Sequence, residues 1–144
     1  MQTNTEPTPT TVWILWFALL SSVAAYAVIG VFLRQMNGAD AAAPDGIAVM
    51  RYALLGVAFA VTCINFLAPR LFGPKFNFMQ FCIIRWALAE AVAIFGLVLI
   101  ILGEELPVLL IFVAWSIALF MILAPTEGAK RRHDESRMST PSIG

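Results

Sequence analysis

Apolar positions along this chain fall into four long runs separated by short polar stretches. The runs are Thr11 to Leu33, Ile47 to Ala68, Phe78 to Gly103 and Glu105 to Ala124. Each holds about 20 residues or more, enough for a helix rising 1.5 Å per residue to cross a hydrocarbon core of about 30 Å. The pattern therefore predicts an all-α fold: a polytopic membrane protein with four transmembrane helices arranged as two tandem hairpins.

The polar stretches carry helix breakers. Arg34 to Gly46 contains Gly38, Pro44 and Gly46, and Arg70 to Asn77 contains Gly73 and Pro74. Pro69 and Pro125 are expected to stop the second and fourth helices, while Pro107 suits a first helical turn after the tight turn at Glu104 and Glu105. Residues 1–10 are rich in Thr and Pro and are expected to be disordered. No positively charged segment precedes the first apolar run, so a secretory signal is not expected. Ala25-Tyr26-Ala27 is only superficially a cleavage site, because the run continues through Val31-Phe32-Leu33. Residues 126–144 form a polar, basic tail.

Composition supports a membrane protein. Of 144 residues, 60% are hydrophobic and 12% charged, against roughly 25% charged in soluble domains. Cys63 and Cys82 lie inside apolar runs and read as small hydrophobes rather than a disulfide or zinc framework. The net charge is zero, but its distribution is uneven. Arg70 and Lys75 follow helix two, and Lys130, Arg131, Arg132 and Arg137 lie in the tail. The turn between helices three and four has only acids, and the first loop is mixed. The excess of Lys and Arg predicts that both termini and the central loop are cytoplasmic, in a bacterial inner membrane. Trp13 and Trp16 near one end of helix one fit an aromatic interface belt. The basic tail would also be attracted to anionic lipid.

A weak internal repeat is visible. Helix one laid on helix three pairs Phe17 with Trp86, Leu19 with Leu88 and Val23 with Val92. Helix two laid on helix four pairs Leu67-Ala68-Pro69 with Leu123-Ala124-Pro125. Parallel repeats are one way transporters are built. The alternative is chance similarity between apolar helices. In this register Ser21 falls on Glu90, so only one hairpin carries an acid.

Glu90 is the chief candidate for chemistry. It falls near the middle of helix three, where an ionised carboxylate costs on the order of 3 kcal/mol on insertion scales. Its surroundings are small: Ala87, Ala89, Ala91, Ala93 and Gly96. Gly56 and Ala60 on helix two have the small-xxx-small spacing that permits close helix approach, so Gly56, Ala60, Ala87, Ala93 and Gly96 are expected packing residues. Ser21, Ser22 and Tyr26 on helix one and Ser116 on helix four lie at similar depth and are candidate partners. Arg85 is the nearest intramembrane base. Five residues turn a helix by about 500°, which places Arg85 and Glu90 about 140° apart. Arg85 is expected to snorkel toward headgroups, with Asn65 as a neighbour. No phosphate loop, metal cluster or nucleophile triad is present, so no cofactor, metal, nucleic-acid partner or catalytic activity of its own is expected. His133 is expected to be solvated in the tail.

The segment Ala87-Leu88-Ala89-Glu90-Ala91-Val92-Ala93-Ile94-Phe95-Gly96-Leu97-Val98 resembles the ion-carrying helix of the proteolipid (c) subunit of rotary ATP synthases. There a mid-membrane Glu is followed by a small residue and then by Ile-Tyr-Gly-Leu-Val or a close variant. The family's partner helix is rich in Gly and Ala four apart, whereas helix two here has the single glycine Gly56. The resemblance implies that Glu90 reversibly carries a proton or cation. The chain would then be a small subunit of proton or cation translocation, a homo-oligomer or part of a larger membrane complex. The alternative is a non-catalytic accessory subunit of a respiratory or energy-transducing complex, with Glu90 as static packing. A third reading is an exporter similar to the small multidrug transporters, whose Glu lies on the first helix, where this chain has Ser21 and Ser22.

Overall fold

A computed structural model describes residues 8–37, 46–71 and 76–138. Of residues 1–10, expected to be disordered, 1–7 lie outside the described residues, as do the loop turns within 38–45 and 72–75 and the last residues of the tail, 139–144, whereas Pro9 and Thr10 already belong to the first helix. Among the described residues there are five helices and no strand: α1 (Pro9–Asn37), α2 (Ile47–Leu71), α3 (Phe78–Ile101), α4 (Leu106–Ile122) and α5 (Glu127–Met138). Three of them, α1, α2 and α3, are long and apolar enough to cross a membrane, and up to four spans result if α4 and α5 count as one bent span. The protein is a helical integral membrane protein.

The helix ends follow from local chemistry. α3 starts at a capping box: the Asn77 side chain accepts from the Gln80 backbone N–H, and the Gln80 side chain accepts from the Asn77 N–H. It ends two residues before the expected Gly103. There Gly103 adopts φ +95°, its N–H bonds to the Ile100 carbonyl, and the Glu104 N–H bonds to that of Leu99. This is a Schellman ending, and the left-handed backbone it needs favours glycine. α2 continues two residues past Pro69 before it ends.

α3 is the central helix. It packs against α1, α2 and α4, while α1 and α4 also pack on each other. α2 packs chiefly on α3, with Ala58, Asn65 and Ala68 buried along its length. The fully buried Trp86, Val92, Leu99, Leu109, Phe112 and Phe120 fill the space shared by α1, α3 and α4. Two glycines permit the closest approaches. A Cβ on Gly96 would lie 2.7 Å from the Phe112 Cβ, and one on Gly30 would collide with Leu109.

Two tryptophans close the C-terminal end of α4. The last carbonyls of a helix lack intrahelical partners. Trp16 Nε1 donates to the Phe120 carbonyl (3.2 Å), and Trp86 Nε1 donates to that of Leu123 (3.0 Å). Trp16 is therefore a buried bridge from α1 to α4 rather than the interface residue expected, while Trp13 beside it is exposed.

The tail also departs from expectation. Residues 127–138 form α5, which is polar and bends about 70° away from α4. His133 is buried instead of solvated, with its ring 5.7 Å from that of Phe78 and 5.4 Å from that of Phe81.

Candidate functional site

Glu90 meets α1. Tyr26 Oη donates to Glu90 Oε1 at 2.8 Å, and Ser22 Oγ lies 2.5 Å from the same oxygen. Ser22 and Tyr26 are four residues apart and so share one face of α1. Ser22 Oγ also lies 2.6 Å from the Leu19 carbonyl. All three separations fall in the O–H···O hydrogen-bond range.

Both hydroxyls converge on this one carboxyl oxygen, and Ser22 Oγ also reaches the Leu19 carbonyl of its own helix. Glu90 is also half-buried rather than sealed. It borders an exposed strip of α3 that includes Ala87, Ile94 and Val98.

The other candidates are distributed differently. Ser21 is exposed and donates to the Phe17 carbonyl of its own helix (2.8 Å). Ser116 is buried and donates to the Ala89 carbonyl (2.7 Å), linking α4 to the backbone one residue before Glu90. Asn65 and Arg85 form a reciprocal pair: Asn65 Nδ2 donates to the Arg85 carbonyl (2.8 Å), and Arg85 Nε donates to Asn65 Oδ1 (3.0 Å). The Arg85 guanidinium also lies over the Phe81 ring, 5.3 Å from its centroid. Arg85 thus engages α2 and its own helix rather than reaching outward for headgroups.

The expected packing residues divide. Ala93 and Gly96 are buried. Gly56, Ala60 and Ala87 are exposed, and a Cβ on Gly56 would meet nothing within 4 Å. α2 instead turns Ala58 toward α3, because the contact through Asn65 selects the face seven residues away.

An ion pair joins α2 to the turn that follows α3. Arg51 Nε donates to Glu104 Oε2 at 3.1 Å, with Glu104 almost fully buried. Neither residue was a candidate from sequence, though the isolated acids after α3 were visible. Among the described residues, no cluster of three or more His, Cys, Asp or Glu could hold a metal ion. No known protein family, curated protein or solved structure matches this chain.

Proposed function

We propose that this protein is a small membrane subunit that takes part in proton or cation translocation, with Glu90 as the reversible carrier. The observation that carries this reading is the convergence of Ser22 and Tyr26 on Glu90 Oε1 near the middle of a membrane-length apolar helix. The oxygen separations of 2.5 to 2.8 Å are hydrogen-bond distances. Glu90 is half-buried and borders an exposed strip of α3, a face that a neighbouring subunit could line. The resemblance of the Glu90 segment to the proteolipid ion-carrying helix points the same way.

The proposal includes four membrane crossings as two hairpins, with both termini and the central loop cytoplasmic. The distribution of Lys and Arg supports this orientation. α4 has 17 residues, about 26 Å of helix, so with its flanking turns it spans a core of about 30 Å with slight local thinning.

The second reading is an accessory subunit of a larger membrane complex. It is favoured by α2, whose Val49, Tyr52, Phe59 and Phe66 are exposed over most of their surface. That face suits either lipid or a neighbouring helix.

Infrared difference titration of the protein in lipid bilayers separates the two readings. Translocation predicts a protonated-carboxyl band that is absent in Glu90→Gln, titrates with bulk pH and shifts in deuterated buffer. A band that neither titrates nor exchanges means a sealed structural carboxyl and removes the transport reading.

A further inference from the structure

A cavity of about 360 Å³ lies where the C-terminal ends of α2 and α4 meet the start of α3 and the covering helix α5. Its walls include Phe81, Cys82, Arg85, Trp86, Ala129 and His133. Most of this wall is apolar or aromatic, and Arg85 supplies its permanent charge.

Arg85 is not neutralised by the protein. Among the described residues the ion pairs join Arg51 to Glu104, Arg131 to Glu135 and His133 to Asp134, and none includes Arg85. Its Nε is held by Asn65, a residue that is itself 1% exposed, and one face of the guanidinium lies over Phe81. These contacts fix the plane of the group. They leave its two terminal amino groups, with four N–H donors, facing no carboxylate. A cation within an apolar helix is costly to bury unless it is paired. A planar fork held in place matches the oxygens of a phosphate. Lys130 on α5 adds positive charge at this end of the bundle, while Arg131 is paired with Glu135.

We infer that the cavity beneath α5 binds a phosphate group against Arg85. The aromatic wall beside it suits the glycerol and first acyl carbons of an anionic phospholipid. The fork is already oriented, so binding requires little reordering of the protein.

The test uses the full-length protein in detergent, equilibrated with equimolar phosphatidylglycerol and diacylglycerol of the same acyl chains, with retained lipid counted by native mass spectrometry. A parallel arm titrates inorganic phosphate and follows Trp fluorescence. The wild type should retain phosphatidylglycerol over diacylglycerol by about tenfold, the equivalent of one charge-assisted contact. Arg85→Gln should abolish that preference. Ala129→Trp, which fills the cavity and keeps Arg85, should abolish it as well. The second variant carries the test if Arg85→Gln does not fold. Inorganic phosphate binding lost in both variants, without lipid preference, would assign the same site to free phosphate. Binding of neither probe, or equal binding by both variants and wild type, overturns the inference.

Discussion

Glu90 and Arg85 lie five residues apart on α3 and take their partners from different helices. Glu90 turns to α1 and meets two hydroxyls. Arg85 turns to α2 and meets one amide, with an aromatic face beside it. The hydroxyls can donate or accept, so the Glu90 cluster can rearrange its protons without moving atoms. The Asn65 amide has fixed donors and acceptors, and it uses both on Arg85. The same helix therefore carries one polar site suited to exchange and another that is held rigid. The difference lies in the partners each neighbour supplies, since the cost of bringing a charge into the membrane is similar for both.

The contrast breaks first at Glu90. Carbodiimide labelling in the membrane should be strong for the wild type and absent for Glu90→Gln, with Ser21→Ala labelled as fully as the wild type. Equal labelling of Glu90→Gln would mean that the reactive acid lies elsewhere.

The rigid site should respond in stability. Asn65→Ala removes both hydrogen bonds of a fully buried residue, one of them to a charged group. It should cost about 2 to 3 kcal/mol, measured by reversible unfolding in mixed micelles. A loss no larger than that of Ser22→Ala would show that the two sites are held alike.

The packing of α3 provides a smaller effect. Gly96→Ala places a methyl 2.7 Å from the Phe112 Cβ, which belongs to the stem of its side chain and cannot swing aside. It should destabilise by about 1 to 2 kcal/mol. Gly56→Ala meets nothing and should be neutral or stabilising by up to about 1 kcal/mol, through helix propensity alone. Matching losses at the two glycines would require α2 to be packed against a neighbour through the Gly56 face.

The smallest effect is expected at the exchangeable cluster. Ser22→Ala removes one hydroxyl that has two acceptors in reach and should cost about 0.5 to 1.5 kcal/mol. It should also alter the infrared band of the Glu90 carboxyl. Ser21→Ala should change neither. A band unaltered by Ser22→Ala would remove the Ser22 contact on which the carrier reading rests.

Several features of the site were legible along the chain. Glu90 stood out as a carboxylate in a membrane-length apolar run, and Asn65 was placed beside Arg85 by depth. The 140° separation of Arg85 from Glu90 followed from helix geometry. The choice between neighbouring residues was not legible. Ser21 and Ser22 differ by about 100° of rotation, and only the packing of α1 on α3 selects Ser22. Gly56 and Ala60 looked as suitable for a helix contact as Ala58, yet Asn65 draws the Ala58 face inward. Trp16 read as an interface residue because it lies near one end of helix one, and nothing local showed a partner for its indole N–H. That partner is a carbonyl at the end of α4, distant in sequence.

The sequence by itself determined the membrane class, the all-helical fold, the breaks between helices and the one acid in mid-membrane. These follow from local quantities: run length, breaker residues and the cost of a charge in hydrocarbon. Tertiary structure alone decided which face of each helix is buried, that α3 is central and α2 peripheral, and that α5 folds back over Phe78 and Phe81. The physical reason is that α1, α3 and α4 are apolar on all sides. Such a helix has no polar face to turn outward, and lipid solvates any of its faces as well as another helix does. Packing shape and a few hydrogen bonds then make the choice, and both depend on residues far away in the chain.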